Sequence, residues 1–107
     1  MKDDELYLIH ISECIGRIEA YVAGGKAAFM SSTLIQDAVL RNLQTLAESS
    51  QRLSDGFKDS HPEIPWRSLA GFRNILVHDY LGIDQEVVWS IIERDLAMLA
   101  SAVQNAS

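Results

Sequence analysis

Four side chains able to do chemistry fall within the stretch Gly71-Phe72-Arg73-Asn74-Ile75-Leu76-Val77-His78-Asp79-Tyr80: an arginine, an amide, an imidazole and a phenol. Histidine titrates near neutrality and moves protons. Arginine stays charged, and its planar fork grips phosphate. Together they suit metal-free cleavage of RNA. His78 would take the proton from a ribose 2′-OH or return one to the leaving 5′-oxygen, and Arg73 would stabilise charge on the pentacoordinate phosphate. Asn74, one turn from His78, would orient the imidazole or hold a phosphate oxygen. A structural reading stays open beside this one: Arg73 tied to a carboxylate such as Asp79 or Glu63, and His78 hydrogen-bonded across helices. Structural networks also gather polar groups.

These groups sit in a strongly apolar segment, where desolvation costs energy unless they are bonded or used. Read as a helix at about 100° per residue, the segment places Leu69, Phe72 and Leu76 on one apolar arc, the core face. Arg73 and Tyr80 fall together beside that arc. Asn74 and His78 share the face pointing away from it, but Ile75, Val77 and Leu81 lie there too. A helix apolar nearly all round is a buried helix, so its far side needs a cover, and a second copy of the chain would supply it. Arg73 and His78 are separated by roughly 140° on the wheel. They converge in one groove only through a distorted turn or by pairing across a two-fold axis.

The rest of the chain supplies helices to position this one. Leu8, Ile11, Ile15, Ile18 and Val22 form an amphipathic stripe over residues 4–22, with Tyr7, Cys14 and Tyr21 along its flank. Gly24-Gly25 ends that helix, and a loop runs to Ser32. Thr33 and Gln36 fit a capping box opening a helix to about Leu53. Its core face is Ile35, Val39, Leu43, Leu46 and Leu53, with Arg41, Gln44, Glu48 and Arg52 mostly outward. Residues 54–65 read as a linker. Pro65 suits the first turn of the third helix, Trp66 anchors its entry, and the helix stops near Gly82. Asp84 caps the last helix, whose stripe is Val88, Ile92, Leu96, Leu99 and Val103. No segment alternates with period two, and there is no repeat. The pattern predicts one domain over residues 1–107, an all-α, up-and-down four-helix bundle.

Composition narrows the function further. Nine Lys and Arg against fifteen Asp and Glu give a net charge of −6, which argues against broad, non-specific nucleic-acid or membrane binding. It leaves room for a small cationic site. One cysteine excludes an internal disulfide. His10, His61 and His78 are too scattered for metal-ligand spacing, and Gly24-Gly25 lacks the context of a phosphate-binding loop, so neither metal nor cofactor is implied. Without a leader or a long apolar run, the chain reads as cytoplasmic. The 48% hydrophobic fraction is generous for this length and points again to a partner.

Arg73, four residues, His78, one residue and Tyr80 resemble the signature of HEPN-domain ribonucleases, and more narrowly of the HepT toxins of HepT–MntA toxin–antitoxin systems. Ile64-Pro65-Trp66-Arg67, Gly71-Phe72-Arg73-Asn74 and Arg41-Asn42-Leu43 are similar to the same family. The resemblance covers essentially the whole chain. It implies a homodimer with the motif at the dimer cleft and metal-independent endoribonuclease activity on tRNA or mRNA. Arg73, His78 and Asn74 would be the catalytic group. It also implies a nucleotidyltransferase antitoxin as partner, which transfers AMP from ATP to Tyr80. The same motif is compatible with a non-catalytic module that binds nucleotide or RNA, or docks a nucleotidyltransferase.

Overall fold

The computed structural model describes residues 2–106. Four long helical stretches carry the fold, and no strand occurs among the described residues. They are α1 (Lys2–Tyr21), α3 (Thr33–Gln51), α5 (Trp66–His78), and a last helix made of α6 (Gln85–Ser90) and α7 (Leu96–Ala106). A π-helical turn, Ile91–Asp95, joins α6 to α7 without leaving helical backbone angles. α5 packs on α3, α3 on α1, and α1 on α7. Among the described residues no helix is long and apolar enough to cross a membrane.

The amphipathic stripes are what hold these helices together. Ile11, Ile15 and Ile18 of α1 bury against Val39, Leu43 and Leu46 of α3. Leu69, Phe72 and Leu76 of α5 join the same core, as do Val88, Leu96, Leu99 and Val103. Each such side chain contributes about 1.5–3 kcal/mol when fully buried. Cys14, expected on a flank, is instead in the core.

The connections hold more structure than their composition suggests. Residues expected to form a loop contain a short helix, α2 (Gly25–Ser31), which buries Phe29 completely and stacks it against Trp89 at 5.4 Å between ring centroids. One large apolar side chain anchors this short segment to the core. Gly25 enters α2 at φ +89°, an angle L side chains avoid. The α3 cap is Ser32, not Thr33: its hydroxyl accepts from the Ile35 amide at 3.2 Å. Gln36 does not complete a capping box but reaches back to the carbonyls of Phe29 and Met30, tying α3 to α2. The 54–65 linker contains α4 (Asp55–Ser60). Asp84 caps the last helix as expected, accepting from the Glu86 amide at 2.9 Å.

A buried carboxylate pins the linker to the first helix. Asp4 accepts from the Ser54 amide at 2.8 Å and from the Ser54 hydroxyl at 2.7 Å, while the same hydroxyl oxygen caps α4 at Phe57. The Ser54 hydroxyl first, and its amide second, hold the Asp4 carboxyl below the ordinary aspartate range. Asp4→Ala is expected to destabilise the fold by about 1.5–3 kcal/mol in denaturant titration, the scale of hydrogen bonds to a charged group. Because the folded-state pKa is lowered, the clamp contributes fully above the ordinary aspartate value. Its contribution is lost as pH falls through the folded value, so wild type should lose stability below that range more steeply than Asp4→Ala.

Candidate functional site

The register of α5 is fixed at both ends of its core face. Trp66 Nε1 donates to the carbonyls of Lys58 and His61, both at 3.1 Å, which ties the linker to the first turn. Leu69, Phe72 and Leu76 then bury against the core, so the rotation of the helix is settled. Arg73 follows Phe72 directly and lands at the α3 boundary, half-buried. Its Nε is cut off from solvent, has no hydrogen-bond partner, and lies 3.8 Å from Glu48 Oε1 on α3. Nη1 donates to Asn74 Oδ1 at 3.3 Å. Glu48 Oε1 also accepts from Gln44 Nε2 at 3.1 Å. An ion pair this exposed and this long is worth at most about 1 kcal/mol. It orients the guanidinium more than it stabilises the fold.

Glu48 is thus the carboxylate beside Arg73, in place of Asp79 or Glu63. Glu63 faces His61 at 3.3 Å. Asp79 folds its carboxylate over Gly82, where a Cβ would come within 2.7 Å of both oxygens. Gln44 and Glu48 are half-buried against α5 instead of outward.

His78 is the last residue of α5. It is exposed and makes no side-chain hydrogen bond or ion pair among the described residues, so Asn74 does not orient it within this chain. The helix is α-helical without interruption from Trp66 to His78. The distorted turn that would swing Arg73 and His78 together is absent, and the two stay roughly 140° apart. Near them Ile75 is 48%, Val77 42% and Leu81 98% exposed. The apolar outer face read from the sequence therefore exists, and in a single chain it is uncovered.

The expected end of this helix near Gly82 is not observed. α5 does not continue to Gly82: Asp79 leaves helical geometry at φ −144°, ψ 49°, and Tyr80–Gly82 form a 3-10 turn. Aspartate is a poor helix former and its charge is unfavourable at a helix C-terminus. Tyr80 is consequently not part of α5, although it reaches α3 as Arg73 does. Its hydroxyl donates to Asp37 Oδ1 on α3 at 2.8 Å. Burial first, and the Asp37 carboxylate second, raise the phenol pKa above the ordinary tyrosine value. The structure thus joins Arg73 to Asn74 and Tyr80 to Asp37, and leaves His78 alone. Asp37 and Glu48 escaped the sequence reading because one acidic residue on a helix surface resembles any other until its neighbour is known. Among the described residues no cluster of three or more His, Cys, Asp or Glu side chains is placed to hold a metal ion.

A family model described as "Ribonuclease HepT-like" matches residues 11–106. A Methanocaldococcus jannaschii protein described as a "Gamma-glutamylcyclotransferase and putative RNase" is 33% identical over 95% of this chain, which spans only 46% of that protein's length. A Thermococcus cleftensis protein described as "Probable ribonuclease HepT" is 37% identical over 87% of this chain and 86% of its own. A "Putative RNase" of Caldanaerobacter subterraneus subsp. tengcongensis is 30% identical over 97% of this chain and 94% of its own. No solved structure gives a significant match.

The Tyr80 environment can be read by titration. Followed by ultraviolet absorbance against Tyr80→Phe, the Tyr80 phenol should ionise above the ordinary tyrosine value. Asp37→Asn should lower that pKa by removing the adjacent charge, without returning it fully to the ordinary value, because burial is the larger cause. An unchanged pKa in Asp37→Asn would contradict the contact.

Proposed function

The chain belongs to the ribonuclease HepT-like family, and on that premise we propose that it is a metal-independent endoribonuclease toxin that cuts tRNA or mRNA in a cleft between two copies of itself. Arg73 binds the scissile phosphate and stabilises charge on it. His78 moves the protons, and Asn74 braces the Arg73 fork through its Oδ1. The observation that carries the reading is the unbroken α5. It keeps Arg73 and His78 on different faces, beside exposed Ile75, Val77 and Leu81. A two-fold axis at that surface buries the apolar side chains and brings the arginine of one copy toward the histidine of the other.

The second part of the proposal is control. A nucleotidyltransferase antitoxin transfers AMP from ATP to Tyr80, and the toxin works in the cytoplasm. Tyr80 lies two residues beyond His78, so attached AMP adds bulk and negative charge beside the end of α5, where an RNA phosphate would otherwise approach. A second reading, a module that binds RNA or a nucleotidyltransferase without cutting, draws support from the net charge of −6 and from a histidine without an orienting partner in its own chain.

With chelator present, purified wild type should cleave tRNA or mRNA. His78→Ala and Arg73→Ala should each lose about 10²–10⁴-fold in rate, the scale of a lost general acid–base or charge-stabilising group. RNA bound but uncut by wild type would favour the binding module, and equal cleavage by all three would sink the assignment. Incubation with the partner and ATP should add AMP mass to wild type and none to Tyr80→Phe. Sedimentation should return twice the chain mass.

A further inference from the structure

We propose that Asp37 is a positioning residue of this site: by accepting the Tyr80 hydroxyl it holds the turn that follows His78, and adenylylation of Tyr80 breaks that tie. Only the second half rests on reading Tyr80 as the AMP acceptor.

Apart from Asp79 N–H bonded to Ile75 O at 2.8 Å on one side and part-buried Ile83 packed against the core on the other, little fastens this turn. Leu81 is 98% exposed, Asp79 and Gly82 are also exposed, and no residue of the turn enters the core. Its own backbone bonds are Gly82 N–H to Asp79 O at 3.1 Å and Ile83 N–H to Tyr80 O at 3.5 Å, the second at the limit of a hydrogen bond. Against these stands the 2.8 Å bond from Tyr80 to Asp37 across 43 residues of sequence. It is a charge-assisted bond, the stronger kind, and it links the turn to α3. His78 ends α5, with only Asp79 between it and this turn. A helix end with nothing beyond it frays on the scale of local unfolding. With Tyr80 tied to α3, the last turn of α5 is held from both sides, and the backbone that carries His78 keeps its place. In RNA cleavage Asp37 acts only through Tyr80.

Nucleotide transfer consumes the atom on which the tie depends. Tyr80 Oη attacks the α-phosphorus of ATP, forming the O–P bond, as the bond from that phosphorus to the pyrophosphate oxygen breaks. Pyrophosphate leaves, and the phenol proton passes to the Asp37 carboxylate it already faces and on to solvent. The product oxygen has no hydrogen to donate. A phosphodiester anion now stands next to a carboxylate, so attraction becomes repulsion. Modification thereby loosens the His78 end of α5 as well as obstructing it.

Amide hydrogen exchange at Asp79, Gly82 and Ile83 tests the first half on unmodified protein. Exchange should be about tenfold faster in Asp37→Ala and Tyr80→Phe, the scale of one lost hydrogen bond. It should fall between wild type and Asp37→Ala in Asp37→Asn, whose amide oxygen still accepts but without the charge. The double variant Asp37→Ala/Tyr80→Phe should exchange no faster than either single one. In RNA cleavage, Asp37→Ala should lower kcat about tenfold and leave KM within about twofold, with Asp37→Asn restoring part of the rate. Wild-type exchange in Asp37→Ala would overturn the tie, and faster exchange spread evenly over the whole chain would reduce Asp37 to a general structural role. AMP-modified wild type should exchange like Asp37→Ala, and unchanged protection after modification would overturn the second half. If wild type takes no AMP, the acceptor reading and the second half fall together. If it cuts no RNA, the ribonuclease reading fails. In either case the exchange comparison still decides whether Asp37 holds the turn.

Discussion

A straight helix cannot aim two of its side chains at one point when they are five residues apart. The α5 helix is straight in this sense from Trp66 to His78, and its rotation is fixed by burying Leu69, Phe72 and Leu76. Arg73 must then lie along α3 while His78 faces outward. Turning the helix to bring either toward the other would expose that apolar face, at a cost of about 1.5–3 kcal/mol for each side chain uncovered. The core thus dictates that each chain presents Arg73 and His78 on separate faces. The proposed dimer completes the site and covers Ile75 and Val77 by one and the same contact.

The polar residues around α5 divide into those that aim groups and those that hold backbone. Glu48 stands near Arg73 Nε, and Asn74 engages Nη1, which limits the swing of the fork. The same carboxylate subtracts from the local positive potential in a chain that already carries a net charge of −6. RNA affinity in the proposed cleft then depends on a few arginines converging from two copies, and it falls with salt as each phosphate contact releases counterions. Asp4 and Asp37 hold backbone instead: one pins the linker ahead of α4, the other the turn after α5. Both accept from a hydroxyl distant in sequence.

The sequence made the helices legible because helical periodicity is strong where a face must bury. The stripes of α1, α3, α5 and the last helix match the buried residues closely. Phe29 was lost to a loop because α2 is too short to display a period. The end of α5 was misread for the opposite reason. Arg73 and Tyr80 keep a helical spacing of seven, but the chain leaves the helix at Asp79 and Tyr80 bonds α3 from a 3-10 turn. The π-helical turn at Ile91–Asp95 has no side-chain signature that sequence spacing would reveal. Of the candidate site, Arg73, Asn74, His78 and Tyr80 stood out because polar groups in an apolar segment need a reason. Their partners, Glu48 and Asp37, did not, since only the packing of α3 on α5 selects them.

The central claim is that one cleavage site draws Arg73 from one copy and His78 from the other. Mixing Arg73→Ala chains with His78→Ala chains, each inactive alone, tests it directly after subunit exchange. In a mixed dimer the intact arginine of one chain meets the intact histidine of its partner, so one working site is restored and RNA cleavage should reappear at up to about a quarter of the wild-type rate, from half the dimers carrying one of two sites. Mixtures that form heterodimers yet remain as inactive as either variant alone would contradict the account, because a site built within one chain stays broken in both.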